Sequence, residues 1–137
     1  MSSRLSAWLR QAQSDLAMAV YARGGGFHAQ ACYQCSQAAE KAIKAVLLAL
    51  DQEPPHTHSI ERLLNALEAL GIGTNPLREL PLKPLQRMTT ASRYPDGDEA
   101  PVDLFDERDS GLALQVAQAV VSFADQQLRA KGEPGSG

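Results

Sequence analysis

Apolar residues recur at helical spacing through most of this chain. Between residues 4 and 22, Leu5, Leu9, Ala12, Leu16, Ala19 and Val20 fall on one stripe, the repeat of an amphipathic helix. Ser2 or Ser3 can cap it. Arg23-Gly24-Gly25-Gly26 stops it, because successive glycines disfavour helix and permit a sharp reversal. A second helix is expected from about Phe27 to Leu50. Ala31, Cys35, Ala38, Ala42, Ala45 and Ala49 make a line of small residues along it, and Ala39, Ile43, Val46 and Leu50 a line of ordinary core residues. Small residues let a neighbouring backbone approach, so this helix belongs inside a bundle and not on its rim. After the proline-bearing loop 51–59, Ser59 caps a third helix carrying Ile60, Leu63, Leu64, Leu67 and Leu70, which Gly71 and Gly73 end.

Residues 74–105 are less regular. Leu77, Leu80, Leu82, Leu85 and Met88 supply apolar contacts, while Pro76, Pro81 and Pro84 limit helix in the first half. A helix is expected from about Pro84 to Tyr94, with a turn before it, followed by a loop through Asp103. Asp106 or Asp109 starts the last helix, which runs to about Ala130. Leu112, Val116, Ala119, Val120 and Phe123 form one face of it, widened by Val121, Ala124 and Leu128. The expected fold is all-α, an antiparallel up-and-down bundle of four long helices plus a shorter one. Residues 1–130 form its single domain and 131–137 a flexible tail.

Composition agrees with a folded helical domain: 137 residues, 44% hydrophobic, 21% charged and only 5% aromatic. The net charge of −3 argues against a protein that coats nucleic acid, while leaving room for a local basic patch. No apolar run approaches the roughly 20 residues that span a bilayer. The first residues lack the apolar block of a signal peptide, so a cytoplasmic location without membrane contact is expected. Cys32 and Cys35 form a lone C-x-x-C. Structural zinc needs a second ligand pair, and a redox pair should open a helix after a strand. Two small residues inside a packed helix is the simpler reading.

One edge of the second helix breaks its apolar character. Gln30, Gln34, Gln37, Lys41 and Lys44 follow at steps of four, three, four and three, so amides and ammonium groups share an edge. Half-buried, such groups need partners: a carboxylate in the fold, a second subunit or an anionic ligand. Lys41 and Lys44 suit a phosphate, but Glu40, four residues before Lys44, offers an intrahelical pair instead. Asp15 suits a structural salt bridge to a second-helix lysine. His58, just before the cap Ser59, suits a general base or a bond to a backbone carbonyl at the helix start. Arg93 suits phosphate or carboxylate recognition, or closes the helix end against its dipole. Tyr94 suits base stacking, and Asp96 lies at the same junction. Glu53, His56 and His58 are potential metal ligands, but two prolines exclude the helical Glu-x-x-His geometry, so no metal and no cofactor is expected.

Four segments in order, D-L-A-M-A from Asp15, Q-A-A-E-K-A-I-K-A-V-L from Gln37, P-x-T-H-S-I-x-x-L-L from Pro55 and S-R-Y-P-D from Ser92, followed by a last apolar helix, resemble the HEPN domain, the "higher eukaryote and prokaryote nucleotide-binding" helical family. The likeness runs from about Leu5 to Leu128. It implies a helical bundle, usually a homodimer, often the partner of a minimal nucleotidyltransferase in a toxin–antitoxin-like pair. Another branch of the family are metal-independent RNases with an Arg-x4-6-His motif shared across the dimer. Here no histidine follows Arg93. The arithmetic match Arg23…His28 falls in the first interhelical turn, away from the family's position. The leading expectation is therefore a non-catalytic dimeric module that binds a nucleotide or a nucleotidyltransferase through Gln37, Lys41, Lys44, His58, Arg93 and Tyr94, with Asp15 and Glu40 as structural polar partners. The alternatives are an RNase using Arg93 and His58 as catalytic residues, and a purely structural assembly domain.

Overall fold

The computed structural model describes residues 3–95 and 97–132. Met1, Ser2, the Ser3 side chain, Asp96 and residues 133–137 fall outside it, and with them the expected first-helix cap and most of the tail. Seven helices occur among the described residues: α1 (Ser3–Gly24), α2 (His28–Ala49), α3 (Ile60–Ala69), α4 (Asn75–Arg78), α5 (Leu82–Ala91), α6 (Pro101–Leu104) and α7 (Glu107–Ala130). No sheet forms among them. Helices α1, α2 and α7 have 22, 22 and 24 residues, while α3 and α5 have 10 each. The third helix is thus shorter than its apolar repeat suggests, and Leu70 sits at its C-cap, 38% exposed.

Helix α2 is the centre of the bundle. It packs most extensively on α1, then on α7, and also touches α3, α5 and α6. The small-residue line explains the close approach. Ala31, Cys35, Ala38, Ala42 and Ala45 are all 0–1% exposed, and Leu5, Leu9 and Leu128 close over Ala45. The core line of Ala39, Ile43 and Val46 joins Leu63, Leu64, Leu67, Leu85, Val116 and Val120 in the main cluster. Val20 and Leu112, expected on buried faces, are instead 48% and 50% exposed. Each is at the edge of its stripe, where the neighbouring helix no longer covers it.

Helix ends follow local chemistry. Gly26 sits at φ +84°, which lets Phe27 N–H reach the Ala22 carbonyl at 2.8 Å and Gly26 N–H the Arg23 carbonyl at 3.0 Å. This paired closure needs a left-handed residue, and glycine adopts it without strain. Asp106 and Asp109 both act at the start of α7. The Asp109 N–H donates to Asp106 Oδ1 at 3.0 Å, and the Asp106 N–H to Asp109 Oδ2 at 2.9 Å, a reciprocal capping box. The expected loop between Tyr94 and Asp103 contains one helical turn, α6, opened by Pro101, whose fixed φ suits the first helical position. Helix α5 starts two residues earlier and ends three earlier than expected.

Candidate functional site

The expected site divides into three clusters along α2. In the first, Lys41 Nζ lies 2.5 Å from Asp15 Oδ2, and Gln11 Nε2 donates to Asp15 Oδ1 at 2.8 Å. The Asp15 carboxylate is thus held from both sides, and the α1–α2 salt bridge is formed. In the second, Glu40 is 5% exposed and divides its carboxylate. Oε2 accepts from Lys44 Nζ at 3.1 Å, and Oε1 lies 2.8 Å from His58 Nδ1. Lys44, 7% exposed, also sits 5.6 Å from the centre of the Trp8 ring, a favourable place for an ammonium. His58 is bonded to a carboxylate and not to a backbone carbonyl, and its side chain is 73% exposed. With Nδ1–H facing Glu40, Nε2 is the nitrogen left to solvent.

The third cluster lies toward the start of α2. The Arg93 guanidinium carbon is 4.6 Å from the Tyr33 ring centre and 5.0 Å from that of Tyr94. Its Nε donates to the Thr89 carbonyl at 3.0 Å, so Arg93 does close the last turn of α5. The terminal nitrogens of the guanidinium make no hydrogen bond to the described residues. A depression of about 540 Å³ opens beside it, lined by Gln30, Tyr33, Gln34, Arg93, Tyr94 and Val102 among others. Tyr33 and Glu40 are seven residues apart on one face of α2, about 10 Å along its axis. Arg93 and His58 therefore occupy the same side of α2 at different levels. Gln37 lies between them, half-buried, and its side chain bonds no described residue.

Tyr33 is the residue the sequence reading missed. It stands beside the amide edge and not on it, and nothing local signals that an arginine 60 positions later will stack on its ring. The neighbouring amides Gln30 and Gln34 lie on that edge, but their spacing alone assigns them no place in the site. Two of the metal candidates, Glu53 and His58, are engaged with other partners. Glu53 is paired with both terminal nitrogens of Arg4, at 2.6 and 2.5 Å, and this bond holds its carboxyl below the usual range. Among the described residues no group of three His, Cys, Asp or Glu side chains is placed to hold a metal ion. Cys32 and Cys35 are each 0% exposed. Burial pushes both thiols up to about 12, and for Cys32 the carboxylates of Asp109 and Asp106 add to the effect.

Arg23 and His28 also meet, though away from these clusters. Arg23 Nε lies 3.1 Å and His28 Nδ1 2.9 Å from the buried hydroxyl of Ser110. The shared hydroxyl fastens the α1–α2 turn to the first turn of α7.

The HEPN domain model matches residues 5–127. The chain is a member of the HEPN domain family. Two solved structures agree with this HEPN fold. The crystal structure of TT1696 from Thermus thermophilus is 31% identical, with a TM-score of 0.85 over 93% of this chain and 100% of that one. ST0689, an archaeal HEPN homologue, is 30% identical, with a TM-score of 0.74 over 93% of this chain and 99% of that one. No curated protein matches the chain. No helix among the described residues is long and apolar enough to cross a membrane.

Proposed function

We propose that this HEPN-domain protein is a non-catalytic, homodimeric module that binds a nucleotide and works beside a minimal nucleotidyltransferase on another polypeptide, in a toxin–antitoxin-like pair. The supporting observation is the state of the cations on α2 and at the end of α5. Lys41 and Lys44 are neutralised by Asp15 and Glu40, so neither is a free phosphate ligand. Arg93 has no carboxylate partner among the described residues. It offers its terminal nitrogens beside two tyrosine rings and two glutamine amides, at the wall of a depression large enough for a nucleotide. A guanidinium suits phosphate, an exposed aromatic ring suits a base, and a glutamine amide can both donate to and accept from a base edge.

The test is calorimetric titration with ATP in EDTA. Arg93→Ala should abolish the heat, while Lys41→Ala should lower stability and leave ATP affinity within about twofold, since its charge is already spent on Asp15. ATP binding that survives Arg93→Ala defeats this reading. An absence of heat with the unaltered protein favours a structural assembly domain.

One observation favours a second reading, a metal-independent RNase. The buried Glu40 orients His58 and leaves Nε2 at the surface, the arrangement that prepares an imidazole for acid–base work. Arg93 from a second copy would have to complete that site, given the separation within one chain. RNA cleavage in EDTA that disappears in both His58→Ala and Arg93→Ala would establish it.

A further inference from the structure

The outer side of α1 carries no charge over three turns. Between Arg10 and Arg23 the helix has one charged residue, Asp15, and Lys41 neutralises it. The exposed residues of that stretch are Gln11, Ser14, Ala17, Met18, Val20 and Tyr21, where a protein surface is ordinarily about 25–35% charged. Tyr21, 81% exposed, is the most exposed large apolar side chain among the described residues, and Met18 is 51% exposed. Loss of charge together with exposed aromatic and methionine side chains is the composition of an interface core. We propose that this face pairs with the same face of a second copy, α1 against α1 and antiparallel, about a two-fold axis that passes beside Ala17 and Met18. The proposal rests on the homodimer reading above and adds the surface through which the copies meet.

The order of residues selects a second copy as the occupant. Arg10, Ser14, Tyr21 and Gly25 follow at steps of four, seven and four along the outer line of α1, all within one face of the helix. Gly25 continues that line, its N–H donating to the Tyr21 carbonyl at 3.1 Å. The spacing is the same read from either end, so a two-fold axis lays the line on itself. Large Tyr21 then covers the small Ser14 of the other copy, and Arg10 covers its Gly25. Ala17 and Met18 flank the axis and meet their own counterparts. The end pair is matched in charge. The Arg10 side chain bonds no described residue. Gly25 closes α1, where the last carbonyls carry partial negative charge. The exposed Phe27 ring lies 3.2 Å from where a Cβ on Gly25 would stand, so an arriving guanidinium meets both carbonyls and an aromatic ring. Arg23 is turned away from this line, toward Ser110 on α7, and does not oppose it. The face is about 22 Å long and one helix wide, about 10–12 Å. That is less than the roughly 800 Å² each partner of a standard complex buries, so the expected dimer is reversible.

The experiment is sedimentation velocity of the full chain over a dilution series, with circular dichroism to confirm that each variant is folded. A reversible monomer–dimer equilibrium is expected. Ala17→Asp, an exposed substitution, sets two carboxylates against each other at the axis and should weaken the dimer at least about tenfold. No α1 residue lines the Arg93 depression, so the ATP titration should not change in that variant. A cross-linking test fixes the register. Under an added thiol oxidant, Ala17→Cys should give a covalent dimer. Ala7→Cys should not, because residue 7 lies about 16 Å along the helix from the axis. The native Cys32 and Cys35 are buried and do not compete. A chain that stays monomeric at every concentration overturns both this pairing and the homodimer reading. A dimer that survives Ala17→Asp unchanged, or that cross-links no faster at residue 17 than at residue 7, overturns the pairing and leaves the homodimer reading standing.

Discussion

Glu40→Leu tests how far the polar edge of α2 serves the fold. The Glu40 and Lys44 side chains are 6% and 9% exposed. Removing the carboxylate leaves a buried ammonium with the Trp8 ring as its remaining partner, and breaking one side of a buried ion pair costs about 3–5 kcal/mol. The ring contact is present in both proteins and offsets nothing, but the flexible lysine stem allows Nζ to move toward water and recovers part of that cost. The lost bond to His58 contributes little, because that imidazole is 73% exposed and water replaces the carboxylate. The expected net loss is about 2–3 kcal/mol, a large share of the roughly 5–15 kcal/mol that holds a domain of this kind. Urea denaturation followed by circular dichroism measures it. With a slope of about 1–3 kcal/mol per molar, the midpoint should fall by about 0.7–3 M. The double variant Glu40→Leu/Lys44→Met removes both charges and should recover to within about 1 kcal/mol of the unaltered protein, since an apolar pair of similar volume replaces a buried ion pair at little cost. A Glu40→Leu loss below about 1 kcal/mol would refute the reasoning. So would a double variant no more stable than the single one.

Three further outcomes are expected. Cys32 and Cys35, buried and with thiols near 12, should resist a thiol reagent at pH 7.5 in the native protein and react fully in denaturant. Fast native labelling would show that the α2 core opens. Glu68 is held below its usual value of 4.5, first by the Thr74 hydroxyl and then by Arg78. A depressed carboxyl contributes stability above its unfolded value and loses it as pH falls through the folded one. The urea midpoint should therefore decline below about pH 4.5, and Glu68→Gln should lessen that decline. An unchanged acid slope in the variant would place the dependence elsewhere. Ser59 Oγ accepts from the Arg62 N–H at 3.2 Å, and Gln86 Oε1 from the Ile60 N–H at 2.9 Å. Ser59→Ala and Gln86→Ala should each cost about 1 kcal/mol in the same urea assay, and a neutral result for both would mean that water caps α3 equally well.

By itself the sequence determined the five longer helices and most of the faces they bury. Periods in Leu5–Leu9–Ala12 and Ile60–Leu63–Leu64–Leu67, the glycines after Arg23 and the paired aspartates at the start of α7 act within a few residues of one another, so local spacing carries them. It also determined that α2 is central, because a helix that is small on one line and apolar on another must have neighbours on both. The pairs Asp15–Lys41 and Glu40–Lys44 were legible as alternatives, since α1 folds back on α2 and Glu40 lies one turn from Lys44. What the sequence left open was decided by packing across long separations. Whether Lys41 and Lys44 are spent or free depends on which carboxylates arrive beside them, and His58 reaches Glu40 through the course of a proline-bearing loop. Arg93 meets Tyr33 because α5 docks on α2, and Arg78 reaches Asn65, Glu68 and Thr74 because the chain after α3 turns back to place α4 beside it. A side chain's charge is written in the chain, but its partner is set by the tertiary fold, because burial and distance decide whether that charge is neutralised within the protein or left for a ligand.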